Sequence, residues 1–486
     1  MGGNHSRRDF IKLALAGGGA AFFPSLDPLR NLGRRTDARN EVSGKPHIVI
    51  ILADDLGWAD VGYHGSKTAT PRIDRLASDG VRLENFHVCP LCSPTRAGLL
   101  TGRWPIRSGM GDSVITPWRR YGLPTTERTL ADMLAKAGYE RRGIIGKWHL
   151  GHYAKEYLPL NRGFSHFYGF YNGALDYFTH KREGELDWHR GFETCRDEGY
   201  ATDLIGREAV RFIEESPSGK PFFLYVALNA PHGPLQAKKE DIDKYSGIKD
   251  EQKRTYAAMV DSMDQAIGGI LGAIEAKGIA ENTLVLFLSD NGAIVGDNGP
   301  WRGSKGSVYE GGVRVPAVVR WPAGISGGRT VNAMIGLIDV YPTLKRVSGL
   351  NDSDPHPLDG RDVLDVIRGK AEAPKRDWFS YIAQETPEQS AVCDGTWKLV
   401  VRGGSVLGVR LDKSGRPLET DGHLSVELFR LDEDPGERTD LVVKHPEVVA
   451  PLLDRLKNFR RLRLEGVPDY EEGHKGFKAP KDWMIH

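Results

Sequence analysis

A chain of 486 residues, 40% hydrophobic and 27% charged, has room for a large core and for more than one domain, which excludes a peptide scaffold. Its formal net charge of +1 gives no global case for nucleic-acid binding, so affinity for an acidic ligand has to come from a local patch. Four cysteines in this length do not make a disulfide scaffold, and 58 glycines point to many tight loops.

In chain order, Ser6-Arg7-Arg8-Asp9-Phe10-Ile11-Lys12 precedes a short, glycine-rich apolar run, Leu13 to Phe23, and resembles a bacterial twin-arginine export signal. Residues 1–30 are therefore assigned to targeting, which implies the twin-arginine translocase as a partner and a periplasmic or secreted location. No later stretch is long and apolar enough to be a membrane-spanning helix.

The runs His47–Ala53, Phe222–Leu228 and Thr283–Leu288, with a shorter one around Gly143–Gly146, are continuous, apolar and largely β-branched or aromatic, as buried parallel strands are. Each ends in polar residues: Asp54-Asp55, Asn229-Ala230-Pro231-His232, Ser289-Asp290-Asn291-Gly292 and Lys147-Trp148-His149. In an α/β sheet, ligands bind beyond such carboxyl ends. Helices are expected from Pro71 to Gly80, around Leu130–Ala137, and from about Glu251 to Lys277, where Met259 and Met263 read as core filling. The Asp-, Pro- and Gly-rich stretch from Asn351 to Asp377 reads as a connection. Residues 45–375 are thus the main α/β domain, 376–465 a smaller α+β unit with an antiparallel sheet, and 466–486 a polar tail.

The chemistry centres on Cys92-Ser93-Pro94-Thr95-Arg96-Ala97-Gly98-Leu99-Leu100-Thr101-Gly102-Arg103. Ser93 is expected to cap a short helix, Pro94 to open it and Gly102 to stop it in a left-handed turn. The helix N-terminus favours an anion and would lower the pKa of a Cys92 thiol, with Arg96 one turn on. An ordinary buried cysteine at a core helix is the bland alternative. Cys89 and Cys92 form a C-x-x-C, but no second pair with zinc spacing follows. A pairing of Cys195 with Cys393 stays open. Asp54, Asp55, Asp290 and Asn291 make a hard, oxygen-only set suited to Ca²⁺, unless each pair merely terminates a strand.

C-S-P-T-R followed by L-T-G-R resembles the formylglycine motif of the type I sulfatases, in the alkaline phosphatase superfamily. Gly146-Lys147-Trp148-His149-Leu150-Gly151, Ala230-Pro231-His232, Arg302-Gly303-Ser304-Lys305 and Glu310-Gly311-Gly312 resemble further elements of that family, in family order. The resemblance implies a large, mixed, mostly parallel sheet sandwiched by helices, with a smaller C-terminal subdomain on an antiparallel sheet. It implies that a separate formylglycine-generating maturase oxidises Cys92 to formylglycine (3-oxoalanine). Asp54, Asp55, Asp290 and Asn291 would hold one Ca²⁺ that also binds position 92. One hydroxyl of the aldehyde hydrate would attack sulfur, Arg96 would orient the hydrate, and Lys147, His232 and Lys305 would bind the sulfate. His232 or Lys305 would assist the leaving alcohol and His149 would take the second hydroxyl proton. Asn172 lies in a plausible region for a further sulfate contact.

Tyr157–Phe164, Asp176–His180 and Pro231–Gln236 resemble the arylsulfatase B (N-acetylgalactosamine-4-sulfatase) branch. The loop from about Tyr168 to Trp188 interleaves aromatics with His180, Lys181 and Arg182, suiting a sulfated saccharide, with aryl sulfates as weaker substrates. The alternative is local packing of those aromatics. Competing readings of the whole chain are a phosphate- or phosphonate-monoester hydrolase and a catalytically dead glycan-binding protein.

Overall fold

The structure, a computed structural model, describes residues 44–383, 387–418 and 423–485, so the export signal lies outside the described residues. Strands β1 (His47–Ala53), β2 (Val81–Leu83), β3 (Arg141–Lys147), β4 (His166–Phe170), β5 (His189–Arg190), β6 (Glu193–Thr194), β7 (Phe222–Ala227), β8 (Thr283–Ser289), β9 (Ala317–Arg320) and β10 (Arg329–Val331) form one ten-stranded sheet. Its order is β10-β2-β9-β8-β1-β7-β3-β4-β5-β6. The middle, β8-β1-β7-β3-β4, is parallel throughout, and antiparallel pairs flank it on both sides. This is the mixed, mostly parallel sheet that the family resemblance implies, and the four apolar runs are strands of its parallel middle.

Successive side chains of a strand face opposite ways, so β1 feeds two cores. Ile48, Ile50 and Leu52 join α2 (Cys92–Thr101), α3 (Leu130–Lys136) and α7 (Leu337–Val347) on one face. Val49 and Ile51 join α1 (Pro71–Asp79), α4 (Ala201–Glu214) and α5 (Glu251–Ala276) on the other. Met259 and Met263 of α5 are fully buried there, as core filling requires. The short α6 (Glu310–Val313) follows the loop that carries Lys305.

Strands β11 (Trp378–Ile382), β12 (Gln389–Cys393), β13 (Trp397–Arg402) and β14 (Ser425–Arg430) make an antiparallel meander, covered by α8 (Pro446–Arg460). Val392, Leu399, Leu428 and Leu456 belong to the same apolar cluster as Leu99 and Leu100 of α2, so this smaller sheet is cored against the large one. The expected polar tail is corrected by the structure. Trp483 is 1% exposed and its Nε1 donates to the Arg182 carbonyl at 2.9 Å, while the Tyr470 carbonyl accepts from Trp118 Nε1 at 2.9 Å. Two apolar or aromatic anchors suffice to fold a polar segment back, which its composition conceals. All four cysteines are free thiols, so Cys195 and Cys393 do not pair. Among the described residues, no helix is long and apolar enough to cross a membrane.

Candidate active site

The register of the parallel strands brings their polar ends to one level. Ala53 pairs with Ser289, Leu52 with Ala227, and Ala227 with Gly146. Asp54, Asp290 and Lys147 therefore emerge side by side. Gly146 makes this possible at β3, because its φ is +109° and a Cβ there would stand 1.9 Å from the Ala227 carbonyl oxygen. Asp55 and His149 also carry left-handed backbone, with φ of 66° and 59°, a conformation that costs a non-glycine residue energy.

Helix α2 supplies the next group. It starts at Cys92, two residues earlier than a Ser93 cap with Pro94 opening the helix predicts, with Leu91 at the N-cap. Ser93 does other work: its Oγ donates to the His149 carbonyl at 2.9 Å and accepts from the Ile115 N–H at 3.0 Å. Gly102 closes the helix with φ of 68°, as expected. Every residue from Cys92 to Thr101 is buried. The expectation of an acidified thiol is corrected: burial raises the Cys92 pKa, and Asp54 and Asp290 oppose the pull of Lys147 and Lys305.

These groups form one ionic cluster. Arg96 donates to Asp290 Oδ2 at 2.8 Å and to the Lys147 carbonyl at 3.2 Å, and lies 3.5 Å from Asp54 Oδ2. Lys147 Nζ meets Asp54 Oδ2 at 2.6 Å, and Lys305 Nζ meets Asp55 Oδ1 at 2.6 Å. Asn291 Nδ2 donates to Asp55 Oδ1 at 2.7 Å. Burial works against ionising Asp55, but Lys305 and His232 outweigh it and hold its pKa below the usual carboxylate range. Burial, and then Asp54, pushes Asp290 up to about 6. Burial likewise opposes the Lys305 charge, which Asp55 secures.

The donors fit a hard divalent cation. Asp54 Oδ1 and Asn291 Oδ1 are buried acceptors without a hydrogen-bond partner, the state expected of oxygens aimed at a metal. Ligand atoms of Asp54, Cys92 and Asp290 lie within 4.8 Å of one another, as do those of Asp54, Asp55 and His232.

Two histidines border this cluster. His149 is 3% exposed, and its Nε2 donates to the Ile115 carbonyl at 2.9 Å, which leaves Nδ1 as the bare lone pair. Burial, then Lys147 and Arg96, drives its pKa well below 6.5. His232 Nδ1 donates to the Gly233 carbonyl at 2.5 Å, and Nε2 stands 3.8 Å from Asp55 Oδ2. Burial, followed by Lys305, lowers its pKa to about 3. Tyr177 fastens the His232 loop by donating to the Asn229 and His232 carbonyls at 2.6 and 2.7 Å.

Cys92, Arg96, Lys147, His149, His232, Lys305 and the four oxygen donors are thus brought together. His180 is not. It is 2% exposed, stacks on Trp188 with centroids 4.5 Å apart, and donates Nε2 to the Gly199 carbonyl at 3.0 Å. The aromatic loop is corrected with it: Tyr168, Tyr171, Tyr177 and Trp188 are all buried, and Phe178 alone among its large aromatics is exposed. Asn172 is fully buried, held by Asp187 at 2.8 Å, with Oδ1 unpartnered. Ser93, the Ile115 carbonyl and Tyr177 were not legible as site residues, since a carbonyl or a single hydroxyl has no sequence signature.

The Sulfatase family profile matches residues 46–350, and the profile "N-sulphoglucosamine sulphohydrolase, C-terminal" matches residues 301–401. Mouse Arylsulfatase J is 34% identical over 466 residues, covering 88% of this chain and 78% of the relative. Mouse N-acetylgalactosamine-6-sulfatase is 33% identical over 435 residues, covering 82% of each. The crystal structure of Ps i-CgsB in complex with k-i-k-neocarrahexaose superposes with a TM-score of 0.79 at 29% identity, over 89% of this chain and 96% of the other.

Proposed function

The chain belongs to the sulfatase family, hydrolases of sulfuric esters, and on that premise we propose that it releases sulfate from sulfated glycans of the N-acetylgalactosamine-4-sulfate type. The observation that carries the chemistry is the convergence of Cys92 with three carboxylates and three cations at the ends of parallel strands. The glycan part is supported by similarity to N-acetylgalactosamine-6-sulfatase and to a protein solved in complex with k-i-k-neocarrahexaose. Export by the twin-arginine route to the periplasm or beyond is part of this reading, from Arg7-Arg8 and the apolar run after them.

Once converted by a maturase, position 92 would carry formylglycine, whose hydrate supplies the nucleophilic oxygen and a second hydroxyl for release of sulfate. Asp54, Asp55, Asp290 and Asn291 would hold a Ca²⁺, which supplies positive charge to sulfate oxygens. The rest follows from the chain's own side chains. Arg96 neutralises Asp54 and Asp290 and leaves its buried Nε without a hydrogen-bond partner. Lys147 and Lys305 place fixed ammonium groups for the anionic ester, where preorganised charge costs no rearrangement. His149 stays neutral with Nδ1 unprotonated, because Ile115 fixes its tautomer, so Nδ1 is the atom that takes a hydroxyl proton from position 92. His232 is neutral before substrate binds and carries its one proton on Nδ1. Its Nε2 would therefore have to take up a proton as the anionic ester arrives before it could pass one to the leaving oxygen, while the protonated Lys305 would stabilise the charge developing there and could itself donate.

The test compares protein made with and without a maturase, by mass spectrometry of the Cys92 peptide and by sulfate release. Aldehyde at position 92, calcium lost together with activity on chelation, and turnover of a galactosamine 4-sulfate exceeding that of its 6-sulfate and of an aryl phosphate are expected. Equal activity of the thiol form overturns the mechanism. Preference for the 6-sulfate overturns the regiospecificity, and preference for the phosphate ester overturns the substrate class.

A further inference from the structure

The C-terminal segment, folded back on the catalytic module, builds a cleft that the chemistry described so far does not use. Its walls are Pro117 to Arg120, His152 and Tyr153 on one side, and residues 475–478 and 483–485, with Gly473 and Pro480, on the other. Its lining includes the exposed cations Arg120, Lys475 and Lys478 and no acidic residue, while Arg119 is 2% exposed and donates to the Val114 and Pro468 carbonyls. In a chain whose formal net charge is +1, a concave surface of this composition is a local field for anions.

Aromatic rings accompany those cations. Tyr153 is 53% exposed, the guanidinium of Arg120 lies 5.7 Å from its ring centroid, and Phe477 and half-buried Trp118 line the same cleft. The platform is held rigid from beneath: Trp118 stacks on His474 at 3.9 Å, and buried Trp483 packs edge-on against His152 at 5.1 Å. His152 Nε2 donates to the Pro117 carbonyl at 3.1 Å, so its buried Nδ1 keeps a lone pair that no protein donor meets.

The cleft adjoins the catalytic cluster. The segment that presents the Ile115 carbonyl to His149 presents the Pro117 carbonyl to His152, so two short bridges tie the same pair of segments together. Trp118 follows Ile115 by three residues, at most about 11 Å even for fully extended chain. A sugar chain whose sulfated unit occupies the catalytic cavity can therefore lay a neighbouring unit here.

We propose that this cleft is a secondary subsite that binds an acidic sugar unit, sulfated or carboxylated, next to the unit that loses its sulfate. Aromatic faces take the apolar face of a pyranose ring, and Arg and Lys take its anionic group. The inference rests on the reading of the protein as a glycan sulfatase.

The full-length protein carrying Arg120→Ala, Lys475→Ala and Lys478→Ala together, and one carrying Tyr153→Ala, are compared with the parent on an aryl sulfate and on a chondroitin sulfate hexasaccharide. The ratio of the hexasaccharide KM to the aryl sulfate KM is expected to rise about tenfold in the triple variant, several weak exposed contacts being lost at once. The salt dependence of the hexasaccharide KM should flatten with it. An unchanged ratio overturns the subsite and leaves sulfate release standing. If neither substrate is turned over, the sulfatase reading fails separately, and calorimetric titration of the hexasaccharide into the same proteins still reads the cleft. Weaker binding to the triple variant than to the parent then supports the subsite, and equal binding overturns it.

Discussion

Two buried ionic clusters lie at either end of one short segment, Arg302 to Gly312, and they use the same residue types for opposite purposes. Lys305 enters the catalytic cluster beside Asp55. Glu310 enters a second one, where its two oxygens meet Lys398 at 2.8 Å and His87 at 3.1 Å, and where Lys398 also meets Glu437 at 2.9 Å. Glu310, Lys398, Glu437 and His87 are all at most 2% exposed, whereas His232 and Lys305 of the catalytic cluster remain 22% and 11% exposed through their side chains. The catalytic cluster keeps acceptors that no protein donor meets, Asp54 Oδ1 and Asn291 Oδ1. The second cluster pins the Glu310 backbone N–H to Glu437 at 2.7 Å and joins the small sheet to the large one. Buried polar atoms without a hydrogen-bond partner occur in both clusters, at Asp54 Oδ1 and Asn291 Oδ1 in the first and at His87 Nδ1 in the second, so openness, not charge, burial or an unmet acceptor, separates the two.

Four substitutions break or sharpen this contrast. Asp290→Asn in the catalytic cluster is expected to cut kcat about a thousandfold and to lower calcium content, with little loss of stability. Steady-state kinetics, metal analysis and melting curves measure the three together, and retained activity would reject the ligand assignment. Lys398→Met should do the reverse. Two buried carboxylates lose their shared cation, so denaturant unfolding should show a loss of about 3–5 kcal/mol, while the aldehyde content of position 92 stays that of the parent.

The third is a matter of pH. Burial raises the Glu437 pKa to about 7, with Glu310 adding to the rise and Lys398 opposing it. Between about 4.5 and 7 the folded protein holds a proton there that the unfolded chain has lost, so this group's contribution to stability is greatest below 4.5 and falls as pH rises through that window. The difference in unfolding free energy between Glu437→Gln and the parent should shift in the variant's favour from pH 4.5 to 7. A difference that is flat with pH would show that Glu437 does not titrate there. The smallest effect belongs to Tyr177→Phe, which removes the hydroxyl that fastens the His232 loop. A stability loss of about 1 kcal/mol with a larger fall in kcat than in aryl sulfate affinity is expected. A change in KM alone would mean that Tyr177 serves binding rather than the placement of His232.

Much of this was legible in the chain. Continuous β-branched runs announce strands buried on both faces, and polar residues at their ends announce the catalytic edge, because both signals are local. Glu310 was legible only as part of a motif, not as half of a buried pair, since Lys398 and Glu437 lie far along the chain. The aromatic stretch from Tyr168 to Trp188 misled for a related reason. Aromatic residues suit sugar platforms and cores alike, and only tertiary packing decides, here for the core. The tail misled in the other direction, because Trp483 anchors a segment whose composition is polar. The acidified thiol failed because burial and two carboxylates outweigh a helix N-terminus.

The register that aligns Ala53 with Ser289 and Ala227 with Gly146 also has a kinetic meaning. β1 is an early strand of the sequence, yet its partners in the sheet are β7 and β8, some 170 to 240 residues downstream by register. Closing loops of that length is slow and entropically unfavourable, and it precedes any reward from pairing. The constellation therefore completes late, only when the chain as far as Lys305 has been synthesised and β1 is gripped from both sides. A fragment ending before Thr283 would keep α1–α5 and β1–β7 but lack Asp290, Asn291 and Lys305, and so would have no half-strength form of the site.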